Sequence, residues 1–220
     1  MVFWGLNMTK YVQTDLKAPY FTFGELNSKT PAIWISCHGY GQLGEFFMKK
    51  LEPFAELGHY GIVLQGLHKF YYTEQRVGAS WMTKHDREVD LENQQTYFKR
   101  VIETEYGDLD LSKVKVNLLG FSQGVSAIAR LLFHLQLPCD NLVFWAGGFP
   151  PELPGSDISF LKDHYKLIVA IGDKDQYYNE ENYLKNLNYI RETFKREPEV
   201  HIYPGRHTVD TKLLKKLTNS

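Results

Sequence analysis

Short apolar runs recur along the chain, separated by longer stretches in which apolar and polar residues alternate at helical spacing. The apolar runs are rich in β-branched and aromatic side chains, which favours β-strands. Most of them are apolar at nearly every position, a pattern typical of parallel strands buried on both faces. The predicted strands are AIWISC (32–37), GIVLQG (61–66), KVNLLGF (115–121), NLVFWAG (141–147), KLIVAIGD (166–173) and EVHIY (199–203).

The stretches between these runs predict helices, because apolar residues recur in them at helical spacing and a glycine or proline follows several of them. We expect helices at about 45–58, 88–106, 126–137 and 180–195, and one more after residue 207. The alternating segment YFTFG near Tyr20 predicts an antiparallel edge strand, and residues 68–88 predict a long loop.

This order of strands and helices predicts an α/β fold, with a mostly parallel, doubly wound sheet and helices on both faces. No internal repeat or polar linker divides the 220 residues, so we expect residues 1–220 to form a single domain. Residues 148–165, between two predicted strands, are too few for a large cap domain over the sheet.

The charge, the cysteine count and the length of the apolar runs argue against several classes of protein. Lysine plus arginine (25) nearly equals aspartate plus glutamate (26), and the net charge of −1 argues against a nucleic-acid partner. The basic cluster at 212–216 alternates with leucines, which predicts the solvent-exposed face of a terminal helix. The 2 cysteines cannot form a disulfide framework, which suits a reducing compartment. Because no signal-peptide pattern and no apolar run near ~18 residues is found, we expect a cytoplasmic protein without integral membrane association; its oligomeric state is unknown.

The strongest chemical signal is the pentapeptide GFSQG (120–124), which directly follows a predicted strand and precedes a predicted helix. A G-x-S-x-G sequence in this context predicts a tight strand-to-helix turn that exposes the serine at the carboxyl edge of the sheet. The flanking glycines are needed because larger side chains would collide with the neighbouring strand or helix. Ser122 is therefore a candidate nucleophile; the alternative is a glycine-rich turn with an incidental serine.

A second glycine-rich segment, HGYGQLG (38–44), follows the first long apolar run. Glycines there let a backbone N–H approach a ligand atom, so this loop is a candidate for one donor of an oxyanion hole. The N–H of Gln123 is the candidate for the other donor, because it opens the helix after Ser122, where the helix dipole favours negative charge.

A nucleophilic serine needs a basic histidine and an orienting acid. In this type of sheet the acid and then the histidine follow the serine in sequence, each on a loop after a later strand. The chain offers Asp173 and Asp175 after one predicted strand and His207 after the next. His207 is preferred to His201, because His201 lies within a predicted strand.

Four segments, HGYGQLG, GFSQG, GDKDQ and PGRHTV, resemble in order and spacing the phospholipase/carboxylesterase group of α/β-hydrolases, which includes acyl-protein thioesterases. The resemblance covers the chain from about residue 31 to its end. It implies Ser122 as the nucleophile, His207 as the base and Asp175 as the orienting acid. It also implies that the oxyanion donors are the N–H groups of Tyr40 and Gln123.

Aromatic residues around the predicted triad are the candidates for substrate binding. They are Phe70, Tyr72 and Trp81 in the segment 68–88, Phe149 in a Gly/Pro loop, and Tyr177 after the acid. Similar enzymes often have small aliphatic residues or proline at 176–178, where this chain has Gln-Tyr-Tyr, and Arg206 replaces a glycine often found before the histidine. The alternative for 68–88 is a packed loop that covers the edge of the sheet.

These features predict a serine hydrolase that cleaves a small-molecule carboxylic ester or thioester through an acyl-enzyme, with short acyl groups preferred. No cofactor and no metal are expected, because the sequence has no HExxH, CxxC or nucleotide-binding glycine pattern. The alternatives are a long-chain acyl-thioesterase or lysophospholipase, a serine peptidase, and a catalytically silent binding module.

Overall fold

The computed structural model describes residues 9–107 and 113–218, and nine strands and five α-helices lie in this part of the chain. The strands are β1 (Tyr20–Phe23), β2 (Ala32–Cys37), β3 (Tyr60–Leu64), β4 (His68–Thr73), β5 (Arg76–Ser80), β6 (Lys115–Phe121), β7 (Asn141–Trp145), β8 (Lys166–Gly172) and β9 (Glu199–Tyr203). The helices are α1 (Gly44–Met48), α2 (Arg87–Tyr106), α3 (Gln123–Leu135), α4 (Glu180–Phe194) and α5 (Thr211–Thr218).

Seven strands form one sheet in the order β1-β3-β2-β6-β7-β8-β9. Strand β1 pairs with β3 in antiparallel orientation, and the other neighbours pair in parallel. The predicted mostly parallel sheet with an antiparallel edge strand at Tyr20 is thus confirmed. Parallel strands bring their carboxyl ends to one edge, so the loops after β2, β6, β7, β8 and β9 meet there.

Helices cover both faces of the sheet, and side chains alternate between the two cores because successive residues of a strand point to opposite faces. In β2, for example, Ile33 and Ile35 pack into the core under α2, α3 and α4, and Trp34 packs into the core under α1 and α5. No large cap domain covers the sheet in the described residues, and none of the described helices has the length and apolar character needed to cross a bilayer.

The predicted helix at 45–58 is wrong in its length. Helix α1 ends at Met48, and a separate 3-10 helix spans Glu52–Leu57. Pro53 stands at the start of that second helix, where its missing N–H costs nothing. Inside one continuous helix, Pro53 would remove a hydrogen bond and clash with the preceding turn, so the segment divides there.

The predicted long loop at 68–88 is also wrong, since its first part is an antiparallel hairpin of β4 and β5. The hairpin lies against the loop after β2: Gly41 N–H donates to Ala79 O (2.9 Å) and Ala79 N–H donates to Gln42 O (3.1 Å). Only the remainder, between β5 and α2, is irregular.

Candidate active site

Ser122 occupies the sharp turn between β6 and α3 with a backbone conformation that is rare for a residue with a side chain. Its φ is 54° and its ψ is −121°. The turn requires glycine on both sides: a Cβ on Gly120 would lie 2.5 Å from Gly124 O, and one on Gly124 would lie 2.1 Å from Cys37 O. The N–H of Ser122 donates to Trp145 O (2.9 Å), which ties the turn to β7. Strain that the surrounding structure maintains is typical of functional positions.

His207 is paired with Asp175. The Nδ1 atom of His207 lies 2.7 Å from Asp175 Oδ2, and the second carboxylate oxygen accepts the N–H of Tyr177 (2.9 Å). The carboxylate side chain is 1% exposed and the imidazole 17% exposed. The rings of Phe121 and Tyr177 contact the imidazole, with centroid distances of 4.8 and 4.7 Å. The imidazole is thus held by one charged hydrogen bond and two ring contacts, which leaves its Nε2 atom available for chemistry.

The other sequence candidates for the acid and the base lie elsewhere. Asp173 is exposed, and its Oδ1 atom accepts the N–H of Gly205 (2.9 Å), which fixes the turn before His207. His201 lies within β9, 3.8 Å from the carboxylate of Glu199. Neither of them lines the cavity that contains Ser122.

Two residues that line the cavity with Ser122 have a backbone N–H without an acceptor among the described residues. In the loop after β2, the N–H of Gly39 donates to Gln42 Oε1 (2.8 Å) and that of Gly41 to Ala79 O (2.9 Å). Among the described residues, no acceptor takes the N–H of Tyr40 between them, nor the N–H of Gln123 at the start of α3. Both residues line the same cavity as Ser122.

The side chain of Gln123 ties the start of α3 to the segment after β5. Its Oε1 atom accepts the N–H of Trp81 (3.1 Å), and its Nε2 atom donates to Ser80 Oγ and Met82 O (both 3.1 Å). Trp81 in turn donates its indole N–H to His38 O (2.7 Å). This network connects the two segments that carry the free N–H groups.

The buried side chain of His38 holds the loop after β2 in place through hydrogen bonds to two backbone groups. Burial lowers the pKa of His38 to about 4, so the ring is neutral near pH 7. Its Nε2 atom accepts the N–H of Gly66 (3.0 Å), so the proton is on Nδ1, which donates to Gly39 O (2.8 Å). Sequence reasoning did not identify this residue as a structural support of the loop.

The cavity has a volume of about 450 Å³ and is bounded by the loops at the carboxyl edge and by one face of α4. Ser122, His207 and Asp175 line it together with Tyr40 and Gln123. Of the predicted substrate-binding residues, Tyr72 and Tyr177 also line it.

The other three predicted substrate-binding residues do not line the cavity. Phe70 stacks on Tyr40 at a centroid distance of 5.1 Å. Trp81 is 1% exposed and packs on His38 and Phe98. Phe149 is buried against Phe144 and Phe194.

The wall that α4 contributes was not predicted from the sequence. The residues of α4 that line the cavity lie on one face of the helix. Residues of β7 and β8 line the cavity next to them. These residues are Asn182, Tyr183, Asn186, Leu187 and Ile190 on the helix and Phe144, Val169 and Ile171 on the strands. The sequence predicted a helix at about 180–195, but not that one of its faces borders the cavity.

No protein-family model and no curated protein sequence matches the chain. Solved structures do match it. Esterase PE8 has a TM-score of 0.69 at 17% identity, with 94% of this chain and 97% of that chain covered. The fold is that of the α/β-hydrolases.

Two further solved structures match over most of their length. Acyl-protein thioesterase 2 of Zea mays has a TM-score of 0.64 at 12% identity, covering 91% of this chain and 96% of that chain. A carboxylesterase of Bacillus cereus has a TM-score of 0.63 at 14% identity, covering 92% of each chain. The resemblance read from the sequence motifs is thus confirmed at the level of the α/β-hydrolase fold.

Proposed function

We propose that this chain is a serine hydrolase that cleaves a carboxylic ester or thioester, with Ser122 as nucleophile, His207 as base and Asp175 as the acid that orients His207. The observation that carries the proposal is the hydrogen-bonded His207–Asp175 pair in the same cavity as the strained Ser122 turn. A catalytically silent binding module would not need a buried carboxylate directed at an imidazole beside a strained serine.

In this mechanism His207 takes the proton of the Ser122 hydroxyl as the oxygen attacks the acyl carbonyl carbon. The proton then passes to the leaving alcohol or thiol, and an acyl-serine remains. Water attacks this acyl group in the second half, with His207 again as base. Asp175 keeps the Nδ1–H tautomer and stabilises the imidazolium that forms in each half.

The N–H groups of Tyr40 and Gln123 donate hydrogen bonds to the carbonyl oxygen and stabilise the negative charge that develops on it. Neither has a hydrogen-bond partner among the described residues, so each is free to donate to a substrate. Donors of this kind stabilise the transition state because they are already oriented before charge develops.

We further propose that the substrate is compact and that short acyl groups are preferred. The cavity volume of about 450 Å³ is near the lower end of the range for small-molecule sites. A long-chain acyl-thioesterase or lysophospholipase is the alternative on the same catalytic residues, and a peptidase is a weaker one. We also propose that residues 1–220 form one catalytic domain. We place it in the cytoplasm, because both cysteines are free and buried, which suits a reducing compartment.

A fluorophosphonate probe tests the nucleophile. We expect the probe to label Ser122 in the parent protein, because only an activated serine reacts with it. We expect Ser122→Ala to abolish both labelling and ester hydrolysis while its circular dichroism spectrum stays unchanged. Ser159→Ala is the matched control, since the Ser159 hydroxyl donates a hydrogen bond to Asp157 in a loop that does not line the cavity. Labelling of a different residue, or Ser122→Ala activity within tenfold of the parent, contradicts the proposal.

A further inference from the structure

The face that α4 turns to the cavity changes in polarity along the helix. Asn182 and Asn186 line its first part and Leu187 and Ile190 its last part, where Phe144 of β7 lies close by. A purely apolar acyl chain would suit the second half of this wall, but it would cover the partly buried amide of Asn186 without offering its N–H groups an acceptor.

The amide of Asn186 has a defined orientation. The N–H of Phe149 donates to its Oδ1 atom (3.2 Å), and because a backbone N–H cannot accept, the amide cannot be flipped. The Nδ2 group is then the other end, and no described residue accepts a hydrogen bond from it. Asn186 is partly buried and lines the cavity, so its Nδ2 group is an oriented donor available to a ligand.

No lysine or arginine lines the cavity among the described residues. Apart from tyrosines, the ionisable residues among the described lining are His207 and Asp175, which are paired with each other. A carboxylate or phosphate on the acyl group would therefore enter without a counter-charge, which is costly in a partly enclosed site.

We propose that α4 selects an uncharged acyl group with a hydrogen-bond acceptor, such as a ketone or ether oxygen, which receives the Nδ2–H of Asn186. This inference rests on the proposed ester or thioester hydrolysis and names the substrate class of the same cavity. Asn186 is then a specificity-determining residue and not a catalytic one.

Matched esters test the inference. We compare kcat/KM for p-nitrophenyl 4-oxopentanoate and 5-oxohexanoate with the plain pentanoate and hexanoate, and with the anionic p-nitrophenyl monosuccinate. We expect at least one keto ester to exceed its plain counterpart about fivefold, the effect of one neutral hydrogen bond. The monosuccinate should fall at least tenfold below the pentanoate, because its carboxylate has no partner.

Two asparagines of α4 give matched variants. Asn186→Asp keeps an acceptor for the N–H of Phe149 but removes the donor, so the keto-to-plain ratio should fall to about one. Asn188→Asp makes the same change outside the cavity, where Asn188 accepts from Arg191, and should keep the parent's ratio. A parent ratio of one, or an unchanged ratio in Asn186→Asp, overturns the inference while the proposed hydrolysis stands.

A binding measurement separates the two proposals. In Ser122→Ala, methyl 4-oxopentanoate or methyl 5-oxohexanoate should shift the side-chain amide resonances of Asn186 in a ¹⁵N correlation spectrum. The plain methyl esters should shift them far less. If no ester is hydrolysed but this selective shift is present, only the hydrolase proposal fails; if no selective shift is present, the role of Asn186 is refuted.

Discussion

Two aspartates that are two positions apart in sequence have different surroundings in the loop after β8. Asp175 is buried and hydrogen-bonded to the imidazole of His207, whereas Asp173 is exposed and accepts a hydrogen bond from the N–H of Gly205. The sequence could not choose between them by position alone, because both follow the strand. Only the path of the loop decides which carboxylate faces the cavity.

We expect Asp175→Asn to cost much more activity than Asp173→Asn. An amide at 175 cannot stabilise the imidazolium, and it favours the wrong tautomer of His207, which in a triad lowers kcat by about 10⁴-fold. Asp173→Asn keeps an oxygen for the N–H of Gly205, so we expect a loss of less than tenfold. Steady-state kinetics on p-nitrophenyl acetate measures both. If Asp173→Asn is the poorer enzyme by tenfold, the acid is misassigned.

At the scale of elements, sequence patterns predicted long helices better than short ones. Helix α2, at Arg87–Tyr106, lies within a residue of the predicted bounds, because no proline or glycine interrupts it before Gly107. The segment 45–58 has apolar residues at helical spacing, but Pro53 divides it into two short helices. The hairpin of β4 and β5 was missed because its turn lacks the usual Asn-Gly or Gly signal and its side chains are mostly exposed.

The same hairpin supports the loop that carries Tyr40, and Gly78 of β5 lies directly against Gly41 of that loop. A Cβ at Gly78 would lie 2.6 Å from Gly41 O and 2.8 Å from Gly41 Cα, so the loop must move if alanine is introduced.

We therefore expect Gly78→Ala to lower kcat about 10- to 100-fold, somewhat less than complete loss of an oxyanion donor costs. The neighbouring Val77→Ala is the control, because Val77 is partly exposed on the hairpin and lies outside the Ser122 cavity. Hydrolysis of p-nitrophenyl acetate measures kcat, and circular dichroism verifies folding. A folded Gly78→Ala protein with kcat within twofold of the parent would show that the hairpin does not position this loop.

At the scale of the whole molecule, the sequence predicted the sheet and the edge at which the candidate catalytic residues meet. Both follow from the order of strands, since parallel strands gather their carboxyl ends on one side. The outline of the cavity could not be predicted in this way. It depends on how α4 packs across the ends of β7 and β8, and helical spacing identifies an apolar face without showing which part of it borders a cavity.

The outline of the cavity should limit the length of the acyl chain that the site accepts. Each methylene that an apolar wall accepts adds ~0.8 kcal/mol, so kcat/KM for p-nitrophenyl esters should rise about fourfold per carbon until the wall is filled. Because Tyr177 packs edge-on against His207 and Tyr178 packs on Tyr183, we expect a maximum at short to medium chains, then a plateau or fall.

The series runs from acetate to dodecanoate, with every ester kept below its micelle concentration. Tyr178→Ala should move the maximum to longer chains, because Tyr178 lines the cavity. Tyr71→Ala should leave the maximum in place, since Tyr71 is 78% exposed and outside the cavity. A specificity constant that climbs through the longest ester in the parent protein would instead require an open groove past Tyr178. The preference for short acyl groups would then be wrong, and the long-chain thioesterase or lysophospholipase alternative would replace it.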